Sequence, residues 1–593
     1  MFSTERQALP NICYSAPIDK SAERVKHMRI IKLFGSRKAG FTMTEMVVTI
    51  AVIAILAGMM IPFFSATMNR STADADDAYQ KLNEANADIT HKTLPTDSDP
   101  TITLPGADAT TTVAPASTTT KAPDATTTTT AKPDEEISET GEIVITNYLS
   151  GTATVRTFTQ AFASDMFKSK FNGGDENTIT HYSYTSLELK SDIKESFTIP
   201  QTNPDGTKTA VNIYLNGHTI KGNIVADGLA NIYGGSKDNP RAQMGTIDAS
   251  DMTSALECTG GLGKIDTVKF IGRNFGINLY DGIIMNSDYA NSDAEKAGIF
   301  NCICQARYDL NGSAGIYSTK DFRRIENTVC TGYYGFRTSA SLTYVYDNTF
   351  IGYKTGYYKS GGSQERTFKG NICIGETGSG ISNYGSWNAN IYGSNERPSI
   401  IIGKEYGIES SSARLDCSFG QKDSNNENLF IKGTSPAVAA RDGIKNIYSG
   451  IFVSYQDGRA TVNSYAIDSI SGGVFVTGAN TNAMYITSFS RSITGGTFIN
   501  PNTNNTPLGM GSNSSGSVSG AKFYSNYNGF PNLGGVTADW NPNPLTEVNK
   551  SCIYTEYTVG NLEKSNGYYN VNYSYIPTKK TTTITTKYYY EAD

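Results

Sequence analysis

Glu45 is the residue whose chemistry is hardest to explain as ordinary surface. It is a single carboxylate at the mouth of Met46–Phe64, a run of 19 residues without a charge. A run of that length spans the hydrocarbon core as a helix. A carboxylate at its edge is costly in lipid unless a cation meets it. Arg37 and Lys38 precede the run, which keeps the N-terminal side cytoplasmic. Elsewhere, residues with chemical potential are scattered. There are only four His and no Cys-x-x-Cys, so no metal or cofactor is implied. Asp-Asp occurs only at Asp76-Asp77. Asp321 with Arg323 and Arg324 is the nearest approach to a polar constellation, and it reads as a solvated loop. No residue is assigned a catalytic role.

Gly40, Phe41, then Glu45 four residues after the Phe, then the apolar run with Pro62, resembles the type IV prepilin family. The resemblance implies that a prepilin peptidase cuts between Gly40 and Phe41, and that the new amino group of Phe41 is methylated. It also implies that Glu45 pairs with that amine on a neighbouring subunit as filaments assemble. Other pilin subunits are then partners. The chain sits in the bacterial cell membrane by one N-terminal helix before assembly, and afterwards at the cell surface in an extracellular pilus. The resemblance covers about 50 residues and is silent on the rest.

Such a motif needs a leader before it and a helix to carry it. Residues 1–40 read as a leader with eight Lys/Arg and three Asp/Glu. Its removal leaves 42 Lys/Arg against 53 Asp/Glu, a net charge of about −11, which argues against nucleic acid as a partner. Residues 41–92 are expected to form the pilin-type helix. Met68, Ala75, Ala78, Tyr79, Leu82, Ala85 and Ile89 continue one apolar stripe. Residues 93–140 are a Thr/Pro-rich linker that cannot bury a core and is expected to be disordered. Residues 141–184 are expected to form the N-terminal cap of a repeat region that starts at 185. Val155, Phe158, Phe162 and Met166 predict an amphipathic helix over 153–170.

From 185 to 525 the chain repeats. The pattern Ile/Val-x-Gly-Gly-x-Phe, with Ser449 and Ala521 each in the place of one glycine, ends at Phe452, Phe475, Phe498 and Phe523, spaced 23, 23 and 25. Asn301, Asn327, Asn348 and Asn371 recur at 26, 21 and 23. Gly315, Gly335, Gly356, Gly380 and Gly407 recur alongside. A period near 23, with short strands and no helices between them, predicts coils of about three strands stacked in parallel. The Phe residues then form one inner column, the Asn residues a second, and the glycines supply φ > 0 turns. Leucine-rich repeats share the period but need a Leu-x-x-Leu-x-Leu frame, which is absent. The expected class is therefore mainly β: a long N-terminal helix, a linker and a right-handed parallel β-helix. Residues 526–593 are expected to cap its end. Leu215-Asn-Gly-His-Thr-Ile220 resembles early coils of pectin-lyase-like proteins. Cys302, Cys304, Cys330 and Cys373 fall within the repeat and read as stacked small apolar residues rather than bridges.

Pectin-lyase-like enzymes need carboxylate clusters with a Ca²⁺ site, or close Asp pairs. The signatures resembling theirs (Asn-Thr-Asp, Gly-His-Gly, Trp-x-Asp-His) are absent here. An enzyme would rest on fold analogy alone. Tyr317, Tyr333, Tyr353 and Tyr358 instead fall at outward or turn positions of neighbouring coils, where a row of rings would stack on sugars. The function expected is a minor pilin or tip protein presenting a β-helix head for adhesion to polysaccharide. The alternatives are a membrane-tethered polysaccharide lyase or hydrolase, and a pseudopilin of a secretion or DNA-uptake system.

Overall fold

The computed structural model describes residues 137–593 except 150, 175–180, 281–282, 285–296, 362–366, 412–414, 435, 457 and 542–548. The leader, Gly40, Phe41, Glu45, the helix expected over 41–92 and linker residues 93–136 lie outside the described residues. Among the described residues, no helix is long and apolar enough to cross a membrane.

The repeat builds a parallel β-solenoid of about 14 turns. Each coil carries short strands on three faces. The first face begins with Thr185–Leu189, Ala210–Tyr214 and Leu229–Tyr233, paired in parallel. The second begins with Thr219–Lys221, Gly245–Ala249 and Val268–Gly272. The third begins with Phe197–Ile199, Ile224–Ala226 and Ser254–Cys258. The inner side of the second face is one column of buried side chains. It runs from Ile220 through Phe270, Cys304, Cys330, Phe350 and Cys373 to the phenylalanines. Phe452, Phe475, Phe498 and Phe523 stack with centroids 5.0, 4.9 and 5.2 Å apart, as their spacing predicts. Cys304 and Cys330 meet in register as free thiols, and burial pushes the Cys304 thiol well up.

The asparagines do not form one column. The spacing of 21 conceals a one-residue step. Asn301 and Asn327 occupy the left-handed corner between first and second faces, at φ 51° and 46°, and Asp347 takes the next coil's corner. Asn327 donates through Nδ2 to Asn301 Oδ1 at 2.8 Å. Asn348 and Asn371 sit one residue later, fully buried, with Asn348 Nδ2 donating to Asn371 Oδ1 at 3.0 Å. The glycine series also serves a different purpose from the one expected. Gly315, Gly335 and Gly356 lie where the backbones of the second and third faces close on one another. A Cβ on Gly335 would fall 2.6 Å from the Gly356 carbonyl oxygen. Close approach, not positive φ, demands glycine there.

The helix expected over 153–170 is also corrected. Only Phe158–Ala163 is helical. Thr152–Val155 is a strand, antiparallel to Ile143–Thr146, which pairs in turn with Thr185–Leu189. The β-branched Thr152, Thr154 and Val155 favour that strand. The helix starts where Thr157 accepts from the Gln160 N–H, and Glu195 accepts from the Phe158 and Thr159 N–H groups at 2.7 and 2.9 Å. This hairpin and short helix together cover the first coils.

Beyond 525 the chain leaves the coil pattern. Tyr588–Ala592 runs antiparallel to Ala521–Ser525 and continues the inner column with Tyr590, 5.6 Å from Phe523. Residues 550–586 turn back along the outside of the second face as a strap. The outward positions there are apolar: Ile351, Ile372, Ile374, Ile400, Phe430, Ile451 and Val476 pack against Tyr554, Tyr557, Tyr569 and Val571 of the strap. A β-face apolar on both sides requires such cover. The strap reaches back as far as Ser250, whose carbonyl accepts from the Tyr568 hydroxyl at 3.3 Å, and Gln305 Nε2 donates to the Tyr569 carbonyl at 2.7 Å. It is pinned by Lys564–Glu376, Glu556–Lys432 and Lys579–Glu427 at 2.6, 2.7 and 2.8 Å.

A candidate binding face

The outward column of the third face carries the aromatic residues. Tyr317, Arg337 and Tyr358 are in direct register on adjacent coils, and Ser382, Glu409, Ala439, Asn463 and Tyr485 continue the column. Coils about 4.8 Å apart bring such side chains into contact along the solenoid axis. The Arg337 guanidinium lies over the rings of Tyr317, Tyr334 and Tyr358 at 5.0, 5.6 and 5.9 Å. Tyr317 stacks in turn on Phe275 at 5.3 Å. Tyr358 meets Tyr334 at 4.8 Å and Tyr384 at 5.6 Å. Tyr280, whose ring lies 6.3 Å from that of Tyr317, and Tyr384 are 55% and 43% exposed, so the ribbon presents ring surface to solvent. Burial, then Tyr358, pushes the Tyr334 hydroxyl up; burial, then Glu409, does the same for Tyr384. Both remain neutral phenols able to donate and accept.

The four tyrosines singled out by the sequence are therefore divided. Tyr317 and Tyr358 belong to this ribbon. Tyr333 and Tyr353 sit at the corner between second and third faces, 6.0 Å from one another. There they join a cluster with the strap. Tyr353 meets Tyr308 at 6.1 Å, Tyr308 meets Tyr569 at 5.1 Å, and Lys564 Nζ lies 4.8 Å over Tyr308. The Tyr569 hydroxyl donates to Glu376 at 2.6 Å, and burial, then Glu376, raises its pKa. These rings are partly committed to holding the strap. An edge contact of 5.1 Å between Tyr333 and Tyr334 joins the two clusters. Arg337, Tyr334 and Tyr384 were not singled out from the sequence. The signal was a register: Arg337 follows Tyr317 by 20 residues and precedes Tyr358 by 21, one coil each way.

Three polar clusters elsewhere are internally satisfied. Asp321 accepts the Ser341 N–H at 2.6 Å, and Arg324 donates to Glu326 at 2.6 Å while lying over the Tyr346 ring. Buried Asp266 takes Arg241 at 2.8 Å, Lys264 at 3.5 Å and the Asn301 amide at 2.7 Å. His218 pairs with Asp192 at 3.2 Å. Among the described residues, no group of three or more His, Cys, Asp or Glu is placed to hold a metal ion.

A family model of the prokaryotic N-terminal methylation motif matches residues 35–61. The chain carries a prepilin-type methylation motif. The motif implies processing by a prepilin peptidase and assembly with other pilins. No curated protein and no solved structure matches the chain.

Proposed function

We propose that this is a pilin-like surface protein whose solenoid head binds polysaccharide through its third face. A methylation motif on a helix-forming apolar run, followed by a long Thr/Pro segment, suits a head held clear of the assembly that anchors it. In this reading the peptidase cuts between Gly40 and Phe41, Phe41 is N-methylated, and Glu45 meets the Phe41 amine of a neighbour. The observation that carries the binding role is the unbroken ribbon Phe275–Tyr317–Arg337–Tyr358–Tyr384. Rings in a row along one axis suit a linear chain of sugars, each apolar sugar face lying on an aromatic one. Neutral phenols and the Arg337 guanidinium would take the hydroxyls at the rim.

The test is retention of cells or purified full-length protein on a panel of plant and microbial glycans. Each ring is worth on the order of 1 kcal/mol, so Tyr317/Tyr358/Tyr384→Ala should lose roughly a hundredfold in affinity if the contributions add. Circular dichroism would check that the triple variant remains folded. Unchanged retention by a folded triple variant rejects the ribbon as the binding surface.

A further inference from the structure

The column that carries the ribbon continues into a groove of different chemistry. Its floor is the Glu409–Ala439–Asn463 stretch of that same column. Ala439, a small residue between two longer ones, opens a depression of about 510 Å³. Tyr406 and Tyr465 line it, and Tyr465 is 55% exposed. Arg441 and Arg459 line it as well. Among the described residues neither guanidinium is ion-paired. Arg441 donates from Nη1 to the Ser411 carbonyl at 3.3 Å, which leaves other N–H groups of its fork unused. Elsewhere on the head, cations beside carboxylates are consumed by them, as Lys564 by Glu376 and Lys432 by Glu556. Two exposed, uncommitted guanidiniums beside aromatic rings in one concavity stand out on a chain that is acidic overall.

We propose that this groove is an acidic-sugar subsite, so that the polysaccharide bound along the ribbon is an anionic one. The proposal rests on the glycan-binding reading above and adds the charge class of the ligand. Guanidinium forks suit the planar carboxylate of a uronate and equally a sulfate ester, through paired charge-assisted hydrogen bonds. Tyr465 or Tyr406 would carry the ring face of that sugar, and Asn463 and Glu409 would take its hydroxyls. The subsite and the ribbon share one column, so one chain of sugars can lie across both.

The test compares wild-type full-length protein with Arg441→Gln/Arg459→Gln on three immobilised glycans: polygalacturonate, the same polymer with its carboxylates reduced, and a sulfated glycosaminoglycan. Expected is preferential retention on one or both anionic matrices, falling as salt is raised. The double variant should lose at least tenfold there while its retention on the reduced polymer is unchanged. The two anionic arms separate carboxylate from sulfate recognition. If wild-type protein holds the reduced polymer as well as the anionic ones, or if the double variant keeps the anionic preference, the subsite is wrong and the ribbon reading stands. If preference for acid is lost in Arg337→Gln but not in the double variant, the acidic sugar sits on the ribbon and the groove assignment is overturned. If wild-type protein holds none of the three or any other glycan, both readings fall.

Discussion

Replacing Phe475 by Ala removes a ring from the middle of the inner column. Its side chain is fully buried and is stacked on both sides, on Phe452 at 5.0 Å and 16° and on Phe498 at 4.9 Å and 18°. An aromatic side chain buries about 150–250 Å², worth about 4–6 kcal/mol at ~25 cal/mol per Å², of which the alanine methyl retains a part. The coils above and below are fixed by parallel pairing at Phe452–Phe475 and Phe475–Phe498, so the hole cannot collapse freely. The expected loss is about 3–5 kcal/mol. The two outward valines of the same strand provide the contrast. Val474 is half-buried, and its truncation should cost under about 1 kcal/mol. Val476 also faces outward but is completely covered in the cluster made with the strap, and should cost about 2 kcal/mol. A stacked array need not unfold in one step, so the readout should be local. Hydrogen exchange by mass spectrometry, followed over peptides covering 447–500, reports the opening free energy of these coils. Equal losses for Phe475 and Val474 would refute the assigned phase. A Val476 loss as small as that of Val474 would refute the strap's cover.

The mature N-terminus should be N-methyl-Phe41 by terminal sequencing, and Gly40→Ala should slow or block its production; wild-type protein that keeps the leader would end the prepilin assignment. Glu45→Ala should be cut normally yet reach the surface and cross-link into multimers less, and normal display of that variant would remove the pairing role. The strap should loosen in acid. Burial acts against the Glu556 carboxylate, but Lys432, Tyr455 and Thr582 hold its pKa below the ordinary 4.5. A folded-state pKa lower than the unfolded one contributes stability that is complete above 4.5 and lost as pH falls below it. Proteolysis within 550–586 should therefore rise below pH 4.5, and Glu556→Gln should raise it already at neutral pH; a flat profile in the wild type would exclude this anchor.

Some of this protein is determined one residue at a time and can be read without a fold. Gly40, Phe41 and Glu45 before an uncharged run form a local pattern. So does the recurrence of Ile/Val-x-Gly/Ser-Gly/Ala-x-Phe at 23 to 25 residues, because a coil of near-constant length returns each position to the same column. That recurrence was enough to place Phe452, Phe475, Phe498 and Phe523 on one stack. It did not suffice where coil length changes. A 20-residue coil between Asn327 and Asp347 shifts the register by one, so Asn327 and Asn348 occupy different columns although their spacing looks regular. The strap was legible only in part. Ile372-Cys-Ile374, Ile451-Phe-Val453 and Val474-Phe-Val476 are apolar on both sides of the strand, which says that something covers the outside. The cover itself is tertiary: a tail joined to the last coil folds back over coils some 200 residues earlier in the chain, as Tyr569 does on Glu376 at 193 residues' separation. The binding face was decided at the same level. Tyr333 and Tyr358 are equally plausible from alternation, but the corner at Gly332 turns the first toward the strap and leaves the second on the third face beside Arg337. Which rings share a surface depends on how each coil closes, and coil closure is set by contacts between coils rather than within one.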